Sequence, residues 1–256
     1  INQPVLAAAG LGSVPAEHFQ LWRNGKQVRL FTSVPSGIMS SGDFMEFWGE
    51  LNDGKPDRAL YRNPDYQLDD RYSLETDTAA YFLTVNPAGG NLRYVTAPNN
   101  TATNTLPADP YFMRRIETHY KDQINKGYAA VIGEYVYSSS YDIGEGWTSA
   151  NALPCCALSK VLLNTNLYSA GPANSITFTY TAAGNALNPR EVVVRLSNTT
   201  VAQKPMPYFN YLKDTIRNLP LSVFSGPSFL GVSINGNSSV VSDRIVVSNF
   251  SVTYPA

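Results

Sequence analysis

The chain has 256 residues, 43% hydrophobic and only 15% charged, with 16 tyrosines, a balance that suits an extracytoplasmic β-protein better than a cytoplasmic helical enzyme. Its net charge of −1 offers no long-range field to gather nucleic acid or anionic lipid, which sets nucleic-acid binding aside. No run reaches the roughly 18 apolar residues of a membrane span, and Ile1-Asn2-Gln3-Pro4 lacks a charged-then-apolar layout, so an export signal is expected to have been removed or to lie upstream.

The first element is a hairpin. Asn24-Gly25 sits between Leu21-Trp22 and Val28-Arg29-Leu30-Phe31, and Asn-Gly readily takes the positive φ values of a type I′ turn. Gly42-Asp43 then opens a strand in which Phe44, Glu46 and Trp48 share one side and Met45 and Phe47 the other, the latter pair being the expected core face. Strand-length runs follow at residues 80–85 and 91–95. Residues 98–110, rich in Asn, Thr, Ala and Pro, read as a linker separating a first domain, 1–105, from a second, 106–256.

In the second half, Ser175-Ile176-Thr177-Phe178-Thr179-Tyr180 is the cleanest strand, with three hydroxyl-bearing residues on one face and Ile176, Phe178 and Tyr180 on the other. Residues 192–196, 229–234 and 245–254 are further strands. Only residues 208–217 read as helix, since Tyr208, Tyr211, Leu212 and Ile216 fall on one helical face. Short strands bounded by turn residues, with no βαβ alternation, predict an all-β chain of two β-sandwich, jelly-roll-like domains in tandem.

Chemistry-bearing residues are sparse. The stretch from Gly49 to Arg58 clusters oxygen donors, and Asn52, Asp53 and Asp57 are its candidate calcium ligands; the stretch lacks the spacing of a helical calcium loop, so a polar turn is the competing reading. Asp69, Asp70, Glu75 and Asp77 are interleaved with Arg58, Arg62 and Arg71, which points to an ion-pair network more than to a hydrolytic carboxylate pair. The string ending Gly144-Glu145-Gly146-Trp147 offers Trp147 as a stacking surface for a sugar, with Asp142 and Glu145 to bond its hydroxyls; the alternative is that Trp147 plugs the core where a loop rejoins the sheet. His18 and His119 lack metal-motif neighbours, and adjacent Cys155 and Cys156 read as small packed residues, with a redox role as the alternative. The acceptor-like triplets at Asn99, Asn198, Asn237 and Asn249 are expected by chance in so Asn-, Ser- and Thr-rich a chain.

Several strings in order resemble the region preceding the catalytic domain of gingipain-type cysteine peptidases of Bacteroidota, type IX secretion sortase-like members among them. They are residues 21–28, 41–54, 60–62, 76–84, 137–147 and 250–255, including Ser41-Gly42-Asp43-Phe44 and Tyr141-Asp142-Ile143-Gly144-Glu145-Gly146-Trp147. The resemblance implies two β-rich domains of an exported protein that stabilise or position a downstream peptidase domain or hold its protein substrate. The family's catalytic Cys and His belong to that following domain, so no catalytic residue is carried over. The alternative expectation is a carbohydrate-binding sandwich of a secreted or surface protein, with no cofactor beyond a calcium ion at most.

Overall fold

The computed structural model describes every residue except 100, 101, 103–105, 132, 133 and 139, so Asn100 and Thr101 of the Asn99-Asn100-Thr101 triplet and the middle of the expected linker lie outside the described residues. The chain is all-β in antiparallel sheets, as its patterning predicts, and divides into two compact units. The first comprises Ile1–Asn52 and Asp77–Leu106, the second Asp53–Thr76 and Pro107–Ala256. Residues 53–76, assigned from sequence to the N-terminal domain, therefore belong to the second unit, a difference that no local pattern encodes.

In the first unit, strands β1 (Phe19–Arg23), β2 (Lys26–Val28) and β5 (Phe82–Val85) form a sheet in the order β2-β1-β5, and β3 (Phe31–Thr32) pairs with β4 (Met45–Glu46). The β1–β2 hairpin closes at Arg23 and Lys26, with Asn24 at φ 49° and Gly25 at φ 72°, as the Asn-Gly signal requires. Phe19, Leu21, Leu30 and Met45 are buried in its core with Leu6 and Met39, and Phe47 packs against them; Trp48 points away, 74% exposed. The Met45 and Phe47 face is thus the inner one. The Asn52 amide donates to the Asp77 carbonyl at 2.9 Å, closing the stem from which residues 53–76 depart.

The second unit is a sandwich. One sheet orders β11 (Leu158–Leu163), β16 (Phe229–Asn237), β13 (Glu191–Leu196) and β14 (Thr199–Pro205). The other orders β15 (Tyr211–Leu219), β12 (Ile176–Gly184), β17 (Ile245–Pro255) and β6 (Met113–His119). Two small ribbons complete it: β7 (Gln123–Lys126) with β10 (Glu145–Thr148), and β8 (Ala129–Val131) with β9 (Tyr135–Tyr137). Alternate residues of both large sheets meet between them, among them Ile176, Phe178 and Tyr180 of β12, Val192 and Val194 of β13, Val232 and Ile234 of β16, and Phe250, Val252 and Tyr254 of β17.

Bulges adjust this packing. Thr181 pairs with Asn249 and Ala182 with Val247, leaving Ser248 unopposed in β17. The extra residue switches the inward set from Ile245 and Val247 to Phe250, Val252 and Tyr254, and every one of these is buried. A second bulge in β15, where Asn218 takes φ 59°, lies between the pairs Ile176–Leu219 and Phe178–Ile216.

The predicted helix over residues 208–217 is corrected by β15. Leu212 and Ile216 do share a face, but a spacing of four satisfies the two-residue repeat of a strand as well as a helical turn, and pairing with β12 decides between them.

Candidate functional site

On the outer face of the β15-β12-β17-β6 sheet, side chains opposite the core line up across all four strands. Lys213 pairs with Thr181, Thr181 with Asn249, and Asn249 with His119, one unbroken row. The adjacent row is Thr215, Thr179, Ser251 and Glu117. Within it the Thr179 and Ser251 hydroxyls are 2.7 Å apart. This is the wet face expected of residues 175–180, extended over a whole sheet.

Residues 53–76 cover part of that face. Leu68 packs on Ala183 and Val246, and its carbonyl accepts from Asn249 Nδ2 at 3.2 Å. The segment holds its shape through its own polar groups: the buried Asp57 carboxylate accepts from Ser73 Oγ at 3.1 Å and the Leu74 amide at 2.8 Å, and the Gly54 amide donates to the Asp70 carbonyl at 2.7 Å. A side chain at Gly54 would put its Cβ 2.6 Å from the Tyr72 carbonyl oxygen, so this crossing needs glycine.

Between segment and sheet lies a polar cleft of about 370 Å³. Asp69, Arg71, Arg115, Glu117, His119 and Lys213 are among its walls. His119 Nδ1 is 2.6 Å from Asp69 Oδ2, Arg115 Nε is 2.7 Å from Glu117 Oε1, and the Arg71 amide donates to Asp69 Oδ1 at 3.1 Å. Burial pushes the Lys213 ammonium below its ordinary range, against the pull of Asp65, Asp70 and Asp69. What the cleft can do chemically is bond a polar ligand through alternating donors and acceptors along a rigid sheet.

The hydrogen bond to Asp69 raises the His119 pKa above its ordinary 6.5, outweighing the opposing effect of burial. A raised folded-state value means that the His119–Asp69 pair stabilises the second unit fully below the unfolded pKa near 6.5 and loses that contribution as pH rises through the folded value. Melting curves between pH 5.5 and 9 are therefore expected to show stability falling on the alkaline side of 6.5, with a shallower fall in His119→Gln. A variant that matches the parent's pH slope would overturn this.

The residues singled out from sequence have partners within the fold. Trp147, half-buried on β10, donates from Nε1 to the Ser73 carbonyl at 2.9 Å, and the Lys121 ammonium sits 5.3 Å from its ring centre and 5.1 Å from that of Tyr72. It clamps residues 53–76 to the sandwich. Asp142 is buried against Arg62 at 3.2 Å and accepts from the Ile143 amide at 2.7 Å. The Glu145 carboxylate accepts from the Tyr141 and Asp142 amides, and burial raises its pKa. Of the candidate calcium ligands, Asn52 closes the first unit's stem, Asp53 pairs with Lys55 in the second, and Asp57 is turned inward. Among the described residues no three His, Cys, Asp or Glu side chains gather as a metal site. Cys155 and Cys156 are exposed, which corrects their reading as packed residues: they lie in a tight turn over residues 153–156 that leaves both side chains in solvent. The sequence did not bring Lys213, Asn249, His119 and Asp69 together because they come from separate strands and a distant loop; the hydroxyl alternation through Ser175, Thr177 and Thr179 was the one local trace of this face.

The first unit has its own concavity, about 660 Å³, lined by Ile1, Phe31, Met45, Phe47, Trp48 and Tyr94. Beside the last strand of the second, Phe112 and Met113 are exposed, and Phe112 exchanges backbone hydrogen bonds with Ala256 at 3.0 and 2.9 Å.

No protein-family model and no curated protein matches the chain. Among solved structures it is similar to dimeric latent PorU from Porphyromonas gingivalis, with a TM-score of 0.47 and 11% identity across 100% of this chain and 23% of that one. The chain thus spans under a quarter of that protein's length. It is similar also to the CBM36-1 domain of a multidomain xylanase from the hindgut metagenome of Trinervitermes trinervoides, with a TM-score of 0.33 and 10% identity over 54% of this chain and 96% of that one. A carbohydrate-binding module CBM36 in complex with calcium and xylotriose gives a TM-score of 0.31 and 14% identity over 53% and 97%.

Proposed function

We propose that this chain is a non-catalytic accessory region of an exported gingipain-like cysteine peptidase, acting as a rigid scaffold that packs against a peptidase domain and positions it. The observation that carries the reading is that the strings resembling that family interlock in space as pieces of one architecture. In the first unit, Arg23 Nη1 meets Glu50 Oε2 at 2.6 Å, the Glu50 amide donates to Tyr81 Oη at 2.8 Å, and the Arg23 guanidinium lies 5.4 Å from the Tyr81 ring centre. In the second, Tyr61 Oη donates to the Glu145 carbonyl at 3.1 Å, the Arg62 amide donates to the Tyr141 carbonyl at 3.1 Å, and Arg62 pairs with Asp142. Residues up to 84 positions apart in sequence are thus spent on each other rather than on a reacting substrate. The exposed Phe112 and Met113 beside the end of β17 suit an apolar docking surface.

The polar cleft favours a second reading, a carbohydrate-binding module, because hydroxyl, amide and charged groups in a fixed row can bond successive sugar hydroxyls. One comparison separates the two. The purified chain is expected to leave a broad panel of fluorogenic peptides uncut, while the gene product extended past Ala256 cleaves some of them. Cleavage by the chain alone, or an extension without a peptidase domain, would overturn the accessory reading. Saturable quenching of the tryptophans by a glycan would favour the second.

A further inference from the structure

Just before β11 the chain makes a tight turn, Leu153-Pro154-Cys155-Cys156, closed by two reciprocal backbone hydrogen bonds: the Leu153 amide donates to the Cys156 carbonyl at 3.2 Å and the Cys156 amide to the Leu153 carbonyl at 3.0 Å. The turn is anchored on its inner side, where Ala152 exchanges backbone bonds with Ile245 at 2.8 and 3.0 Å, and on its outer side by β11 in the sheet. Both thiols face solvent, and their sulfurs stand 2.7 Å apart. That separation is well inside ordinary van der Waals contact between sulfurs and needs only a small movement to become a bond.

We propose that Cys155 and Cys156 form a reversible oxidation site that closes an internal disulfide by exchange with a disulfide oxidant. The Cys155 thiolate attacks one sulfur of the oxidant R–S–S–R, forming a mixed disulfide and expelling one RS⁻. The Cys156 thiolate then attacks the Cys155 sulfur and expels the second RS⁻. The two cysteine protons end on the two departing thiols, so the chain loses two hydrogens and the oxidant is reduced to two RSH. Either sulfur can donate in the hydrogen bond between them, so the same sequence runs equally with the two cysteines exchanged. Adjacent residues have Cα atoms about 3.8 Å apart, shorter than the 4.4–6.8 Å of ordinary disulfides, so the bridge is strained and a mild thiol reductant reopens it.

The test uses the full chain with oxidised glutathione as the oxidant. Reduced protein is expected to titrate two reactive thiols. After oxidation the monomer titrates none, its intact mass is about 2 Da lower, and dithiothreitol restores both thiols. Cys156→Ser, which lacks the resolving thiol, is expected to trap a glutathione adduct on Cys155 instead. Since both positions are exposed on a turn, the variant folds, which an unchanged melting curve checks. The proposal is overturned if the parent accumulates one or two glutathione adducts, or crosslinks between chains, with no species at the lowered mass.

Discussion

Deletion of Ser251 is expected to destabilise the second unit severely, whereas deletion of Ser248 is expected to be tolerated. β12 presents Ile176, Phe178, Tyr180 and Ala182 to the core at an unbroken spacing of two, while β17 presents Ile245 and Val247 and then Phe250, Val252 and Tyr254. The unpaired residue at 248 reconciles the two patterns. Removing it makes Val247 and Asn249 neighbours opposite Ala182 and Thr181, which are neighbours already, so every inward residue stays inward. Ser251 is paired with Thr179, and its loss flips the face of one run or another. If the bulge persists, Val252 and Tyr254, now essentially inaccessible, are turned into solvent. If the bulge is used up instead, Phe250 turns out and the Asn249 amide turns into the core. At about 1.5–3 kcal/mol for each large apolar side chain exposed, either outcome takes a large share of the stability of a typical domain, about 5–15 kcal/mol. Deleting Ser248 loses the hydroxyl's 2.7 Å bond to the Trp147 carbonyl and the 2.9 Å bond from the Tyr120 amide to the Ser248 carbonyl, about 1 kcal/mol each. Calorimetry should show a lost or much lowered transition for the Ser251 deletion and a modestly lowered, still cooperative one for the Ser248 deletion. A Ser251 deletion melting like the parent would mean that the strand re-registers at little cost.

Arg190→Met is expected to cost about 3–5 kcal/mol. The Arg190 and Asp243 side chains are both fully buried and bonded twice, Nε to Oδ2 at 2.7 Å and Nη2 to Oδ1 at 2.6 Å. The guanidinium also donates to the carbonyls of Ala186 at 2.6 Å, Met206 at 3.2 Å and Tyr208, tying the loop before β13 to the end of β14 and the approach to β15. Removing it strands a carboxylate in the interior with Asn188 Nδ2, at 3.2 Å, as its remaining side-chain partner. Most of the penalty is that uncompensated charge, not the loss of attraction. The double variant Arg190→Met with Asp243→Leu is therefore expected to recover part of the stability, although the orphaned carbonyls keep it below the parent. Urea midpoints of the parent, the single and the double variant give the comparison, and a double variant no more stable than the single one would refute the charge argument.

The sequence was legible wherever one local preference decides the outcome. Asn24-Gly25 forced a hairpin because few other pairs tolerate two positive φ values, and Met45 and Phe47 declared an inner face through simple alternation. Residues 208–217 misled because apolar spacing of four serves a strand and a helix equally. In residues 245–254 the shift of apolar positions from odd to even was present, and a bulge is its physical reading; without the partner strand it looked like a continuous run. Trp147, Asp142 and Glu145 stood out in the sequence, but their partners Ser73, Arg62 and Tyr61 lie too far back in the chain for spacing to reveal these contacts.

By itself, then, the amino-acid sequence determined the all-β class, most strand positions and the direction in which their apolar faces point, because turn chemistry and two-residue alternation act within a few residues. Only the tertiary structure decided that residues 53–76 belong to the second unit, that His119 meets Asp69, and that Lys213, Thr181, Asn249 and His119 form one row. Those outcomes depend on strand order and register, which are settled by burying two whole sheets against each other and not by any segment alone.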